Sequence, residues 1–250
     1  MKDKRQDKDK SENEIVRLNK FIARCGVTSR RKAGDLVKAG HVEVNGAVEI
    51  NPAYQVQDQD VVTYEGKTLK PEEDKVYLLM NKPKDVVTTM NDEQGRRTVY
   101  DMIKSKVKER VYPVGRLDRY TTGLLVMTND GDLAQKLSHP KYEIQKMYEA
   151  ILDRELTKAD LQKVRDGLTL EDGLIEVDQV DYVSGKEENH IGIGLHSGRN
   201  RIIRRIFESM NYRVVKLDRT YYAGLTKRNL GRGRFRHLSE REVIMLKHFI

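Results

Sequence analysis

Asn45 and Gly46 stand between two short alternating stretches, His41-Val42-Glu43-Val44 and Ala47-Val48. An Asn-Gly pair in that setting is the strongest short-range signal for a two-residue β-hairpin, because both central positions of the favoured turn need positive φ. What precedes the pair narrows the fold further. Leu18, Phe21, Ile22 and Cys25 recur at helical spacing, and Gly26 stops that helix. Thr28 or Ser29 can cap a second helix that turns Ala33, Leu36 and Val37 inward and stops at Gly40. Two short helices and a hairpin, closed by Gly66 and Pro71, predict a small domain over residues 15–72.

A chain of 250 residues is long for one small core and suits two domains. Beyond about residue 76 short strands (Val76–Met80, Leu124–Thr128, Ile191–Leu195) alternate with helical patterns. Asn129-Asp130-Gly131 reads as a turn, after which Asp132 can start a helix carrying Leu133 and Leu137. Ile203, Ile206, Phe207 and Met210 form a helical stripe, and Ser239 with Glu242 makes a capping box before Val243 and Leu246. The fold class expected is α+β with substantial antiparallel sheet, the second domain occupying residues 76–250. Residues 1–14 hold five charges of each sign and no apolar residue after Met1. They cannot repay the entropy of ordering and are expected to form a disordered tail.

The net charge is +8, and it is concentrated. Arg17 to Lys38 holds seven Lys/Arg against one acid, and His196 to Arg236 holds twelve against Glu208 and Asp218, so the rest of the chain is net acidic. Two basic patches on an acidic background point to a polyanion, nucleic acid first. No run approaches a membrane span or a signal peptide, which predicts a cytoplasmic protein. The lone Cys25 cannot form an internal disulfide and sits at a core-facing helical position. No Cys/His pattern has metal-ligand spacing, so neither a metal nor a cofactor is expected.

The basic residues Arg17, Lys20, Arg24, Arg30, Arg31 and Lys32 fall on or beside the two short helices, whose apolar faces are already committed inward. The stretch RLNKFIARCGVTSRRKAGDLVKAGHVEVNG resembles the S4 RNA-binding domain, VNG hairpin included. The resemblance implies that these six cations contact RNA.

Further on, Asp118 stands in a Gly-bounded loop ahead of a buried strand, which places a carboxylate where a ligand can meet it. The surrounding string GRLDRYTTGLLVMTNDG resembles the signature of bacterial ribosomal RNA pseudouridine synthases of the RsuA/RluB type. NKPKDVVTTMNDEQGRRTVYDMI, LSHPKYEIQKMY and SGRNRIIRRIFESM resemble three further segments of that family, in the same order. Two positions depart: Ile202 stands where the family usually has Gln, and Asp218 where it often has Lys.

The resemblance implies a cofactor-free isomerisation of uridine to pseudouridine, with Asp118 as nucleophile and Arg204 as the arginine paired with it. A carboxylate can act this way, as in glycosidases, and an adjacent cation favours its charged form. Attack on C1′ and attack on the uracil ring are both open. Tyr148 matches the family's active-site tyrosine, whose ring can hold the detached base by stacking. Lys146 shares its strand face and takes a supporting RNA or structural role. Arg116 and Arg119 are candidates for the phosphates of a flipped-out nucleotide, while Arg199 and Arg201, with the first domain, are expected to make the RNA phosphate contacts that offset the cost of flipping. The partner implied is ribosomal RNA or a pre-ribosomal particle, bound by a monomer. The Asp92-to-Val99 segment favours the large subunit. A small-subunit enzyme, a non-catalytic ribosome-assembly factor and a hydrolase of small nucleosides are the competing readings.

Overall fold

The computed structural model describes residues 16–72 and 74–248, so the tail expected at residues 1–14 lies outside it. The chain divides into two compact units between Asp74 and Lys75.

In the first unit, helices α1 (Leu18–Arg24) and α2 (Arg30–Lys38) pack beside short strands β1 (Val16–Arg17) to β6 (Lys67–Thr68). β2 (Val42–Val44) and β5 (Val62–Tyr64) form the centre of an antiparallel sheet, flanked by β3 (Ala47–Val48) and β6. β1 pairs separately with β4 (Gln55–Val56). The core is Leu18, Ile22, Ala33, Val37, Val42, Val44 and Val62. Ser29 is the cap of α2, its side chain accepting from Lys32 N–H. At the other end Gly40 and His41 donate to the carbonyls of Val37 and Leu36, which closes the helix with two satisfied acceptors. Asn45 and Gly46 take φ of 54° and 80°, as the hairpin requires. Gly66 does not close the unit but turns a second hairpin, between β5 and β6. Val48 is exposed, because β3 is an edge strand with nothing packed over it.

The second unit is built on one mixed sheet in the order β13–β14–β10–β15–β9–β7–β17. These strands are β7 (Tyr77–Lys82), β9 (Thr122–Thr128), β10 (Lys146–Leu152), β13 (Gln179–Tyr182), β14 (His190–Leu195), β15 (Val214–Tyr222) and β17 (Phe235–His237), with β8 (Tyr112–Pro113) added beside β9 and β16 (Leu225–Thr226) beside β15. β11 (Leu168–Leu170) and β12 (Gly173–Ile175) form a separate hairpin. Every pairing within the large sheet is antiparallel except β9 with β15, where Thr122 and Gly123 lie opposite Asp218 and Arg219.

Burial explains the strand composition. All six residues of β7 are buried, which is why it reads as a continuous apolar run rather than an alternation. Helix α5 (Ile202–Glu208) buries Ile202, Ile203, Ile206 and Phe207 against β10, β14 and β15. α4 (Lys158–Asp166) joins the same core through Leu161 and Val164. α3 (Gly131–Ser138) and α6 (Glu240–His248) cover a second core that includes Leu79, Leu124, Val126 and Tyr222. The N-cap of α3 is Asp130 rather than Asp132, since its carboxylate accepts from Leu133 N–H. The capping box before α6 forms reciprocally: Ser239 N–H donates to Glu242 at 2.8 Å and Glu242 N–H to Ser239 at 3.3 Å. Among the described residues no helix is long and apolar enough to cross a membrane.

Candidate active site

Asp118 lies in the loop between β8 and β9, and that loop is gripped from both sides. Just before it, the buried Thr88 hydroxyl donates to the Leu117 carbonyl at 2.7 Å and accepts from Leu117 N–H at 3.3 Å. Just after it, the Lys82 ammonium donates to the carbonyls of Arg119 (3.2 Å), Thr121 (2.9 Å) and Pro83 (3.1 Å). Asp85 N–H also donates to the Arg119 carbonyl, and Thr121 N–H to that of Asp118. Leu117 points into the core while Asp118 is exposed, so a rigid turn presents a free carboxylate. Burial pushes the Lys82 ammonium down to about 8, although the nearby Asp118 charge works the other way.

Asp118 lines a cavity of about 190 Å³ together with Tyr148, Lys146, Thr121, Arg219 and Tyr222. That is smaller than the roughly 300–1,000 Å³ of drug-sized sites. Arg116, Arg199 and Arg201 also line it, and Asp118 is the one carboxylate among its lining residues. Tyr148 is half-buried, packed at the meeting of two apolar cores. Lys146 is on the same strand face and donates to the His196 carbonyl at 2.7 Å. Burial, and then the Arg219 charge, pull its ammonium down to about 8. The sequence signals for Asp118, Tyr148, Lys146, Arg116, Arg199 and Arg201 thus converge on one cavity.

Two expected residues are placed differently. Arg204 does not line the cavity, and no hydrogen bond or ion pair joins it to Asp118 among the described residues. Its Nη1 donates to the Val214 carbonyl at 2.7 Å, which commits the guanidinium to the β15 backbone. Burial lowers the Arg204 pKa, followed by the Arg201 charge, while the field of Asp118 opposes the shift. Arg119 pairs with Asp85 at 3.0 Å and turns toward the Tyr120 ring, 5.4 Å away, rather than into the cavity. Arg199 and Arg201 are near acids, Asp172 at 3.7 Å and Glu208 at 3.4 Å, but both are loose pairs on long side chains.

Lys82, Thr88, Thr121 and Arg219 escape a reading of the sequence by motif. Lys82 was visible only as the Lys of a Lys-Pro pair, and Arg219 as one cation among twelve. In the first unit Arg17, Arg30, Arg31 and Lys32 are exposed, whereas Lys20 and Arg24 are partly buried. Cys25 is partly buried there, and burial with the nearby Glu72 pushes its thiol up to about 12, so it stays protonated and unreactive. Among the described residues no cluster of three or more His, Cys, Asp or Glu is placed to hold a metal ion.

Comparison with known proteins agrees with this geometry. Residues 76–209 match the family described as RNA pseudouridylate synthase, and residues 16–62 match the S4 domain. The chain is 42% identical to the ribosomal large subunit pseudouridine synthase B of Bacillus subtilis (strain 168), over 93% of this chain and 96% of that protein. It is 34% identical to the protein of the same name from Vibrio vulnificus (strain CMCP6), over 94% of this chain and 75% of that one. A crystal structure of a pseudouridylate synthase superposes with a TM-score of 0.66 at 24% identity, covering 92% of this chain and 99% of the other, which shows a shared fold. With the carboxylate loop, the aromatic strand and the sheet that joins them all present, the chain belongs to the RNA pseudouridylate synthase family and carries an S4 domain ahead of its catalytic domain.

Proposed function

We propose that this enzyme converts one uridine of large-subunit ribosomal RNA to pseudouridine, acting as a cytoplasmic monomer with Asp118 as its nucleophile. The observation that carries the assignment is the cavity itself, in which a single carboxylate on a braced turn faces an aromatic ring and five cations. The two proteins named ribosomal large subunit pseudouridine synthase B support the choice of RNA.

In the reaction the N1–C1′ bond breaks and a C5–C1′ bond forms, while C5 loses a proton and N1 gains one. The product is an isomer of the substrate, so no oxidant, reductant or energy source enters. Asp118 holds the sugar at C1′, or the uracil ring, while the base turns. Tyr148 keeps the detached base in place by stacking, which resists escape but permits rotation. Arg204 supplies positive potential to Asp118 without a direct bond to the carboxylate. Taking the uridine out of its stack costs a few kcal/mol. Phosphate contacts from Arg116, Arg199, Arg201 and Lys146 offset that cost, with further phosphates held by Arg17, Lys20, Arg24, Arg30, Arg31 and Lys32 of the S4 domain.

Pseudouridine mapping of ribosomal RNA from cells with and without the gene tests the assignment. One large-subunit position should lose its modification, and purified protein should restore it while D118N should not. An unchanged large-subunit profile, or full activity in D118N, overturns the proposal.

A further inference from the structure

Arg219 is the one buried arginine among the described residues, with 3% of its surface exposed. Its position on β15 is fixed by the parallel crossing with β9. Its Nε–H donates to the Leu124 carbonyl at 2.7 Å, and its guanidinium lies 4.4 Å from the centre of the Tyr222 ring. Its Nη2 is buried and has no hydrogen-bond partner. A second polar atom in the same wall shares that condition. Thr121 is 2% exposed, and its Oγ1 is buried without a partner. Both residues line the cavity that holds Asp118 and Tyr148. Leaving a buried donor unpaired costs about 1–3 kcal/mol, more on a charged group. Both atoms belong to residues that line one cavity, and a small shift of either side chain would let a ligand there complete them.

We propose that Arg219 and Thr121 read the Watson–Crick edge of the target uracil as it enters, Arg219 Nη2 donating to O4 and Thr121 Oγ1 accepting from N3–H. The proposal rests on reading the Asp118 cavity as the uridine site. A guanidinium is donor-only, whereas a hydroxyl can donate or accept. Uracil offers an acceptor, a donor and an acceptor along that edge. Cytosine places an amino group where uracil has O4, so Arg219 would meet it donor to donor. Thr121 can turn its hydroxyl to suit either base, which leaves the discrimination with Arg219.

The same contacts suit the turn that the base must make. For C5 to take the place of N1, the ring rotates by half a turn about the line through N3 and C6. That rotation exchanges O2 with O4 and leaves N3–H where it was. A site that holds N3–H and one carbonyl therefore fits the base before and after the turn. When the N1–C1′ electron pair departs with the base, negative charge spreads onto the carbonyl oxygens. A preorganised cation in a cavity with little water stabilises that charge most strongly. Lys146, whose ammonium Arg219 already disfavours, adds a second positive group nearby.

The test uses full-length protein with D118N to block turnover, and two RNA fragments that carry either the mapped uridine or cytidine at the target position. D118N protein should bind the uridine RNA more tightly by about 10–100-fold. D118N/R219M should bind both RNAs equally, at the affinity shown for the cytidine RNA when Arg219 is present. D118N/T121V should bind both RNAs more weakly and keep the preference for uridine. A preference that survives R219M overturns the proposal, and so does an equal loss of affinity for both RNAs, which marks Arg219 as structural. If R219M does not fold by circular dichroism, T121V decides: an unchanged affinity for the uridine RNA in D118N/T121V sinks the idea and a reduced one sustains it. Failure of the wild-type enzyme to form any pseudouridine would instead remove the underlying assignment, whatever the Arg219 variants do.

Discussion

The Lys82 ammonium lies beneath the turn that carries Asp118 and spends its donors on the backbone of that turn rather than on the carboxylate. It has no exposed surface. This lysine braces the Asp118 loop, and Asp118 lines the cavity.

Replacing Lys82 with Met keeps the stem but leaves the Arg119, Thr121 and Pro83 carbonyls without this donor. Unfolding by denaturant should show a loss of about 2–4 kcal/mol. The pH dependence has a definite sign. The folded-state value is about 8, below the ordinary 10.5, so between these two the unfolded chain binds more protons. Stability from this group therefore rises with pH across that window and is flat below it. Wild type should gain on K82M as pH increases from 8 to 10.5; a constant difference would mean that Lys82 is not held as described.

Lys146 titrates within reach of ordinary assays. With its ammonium held at about 8, it is charged below that pH and neutral above it. If its charge contacts RNA phosphate, affinity should fall as pH rises through 8, and K146R should retain affinity at pH 9. An identical pH profile for wild type and K146R would confine Lys146 to its bond with the His196 carbonyl.

Arg30, Arg31 and Lys32 occupy the first turn of α2, with no acid among them. Cations at that end of a helix oppose its dipole, at roughly 0.3–1 kcal/mol each. Bound phosphate reverses the sign of that interaction. Changing all three to Gln should leave the fold at least as stable while weakening RNA binding and flattening its salt dependence. The slope of log K against log salt should drop by about 2–3. An unchanged slope would remove these residues from the RNA interface.

How much of this was legible beforehand follows from the range of each interaction. The Asn45-Gly46 hairpin, the Ser29 cap and the Ser239–Glu242 box are local, and local chemistry is written in adjacent residues. The α5 stripe of Ile203, Ile206 and Phe207 was equally plain. Asp118 and Tyr148 stand out because their neighbours spell a family pattern, and the structure places both on one cavity. Lys82 and Arg219 were not assigned, because their meaning depends on strands far apart in sequence: β7 brings Lys82 under the loop after residue 118, and β15 lays Arg219 across β9. The Arg204–Asp118 contact implied by resemblance is not a direct bond among the described residues, since Nη1 of Arg204 donates to Val214, a partner visible only once α5 is packed on the sheet.

Gly123 shows how tightly that crossing is built. It sits opposite Arg219 in the parallel pair, with φ of +107°, and a Cβ there would collide with the Arg219 backbone. Backbone on a central strand cannot swing aside as a flexible side chain can, so even Ala should force β9 and β15 apart. The two strands set the spacing between the Asp118 turn, which leads into β9, and Arg219 on β15. G123A should therefore lose about 3 kcal/mol or more of stability, from overpacking combined with a disfavoured φ. Where the variant is still folded, at low temperature, turnover should fall further than RNA affinity, because the S4 domain's phosphate contacts do not pass through this crossing. A G123A protein as stable and as active as wild type would show that the sheet can open here, and that the spacing between Asp118 and Arg219 is not what the catalytic domain depends on.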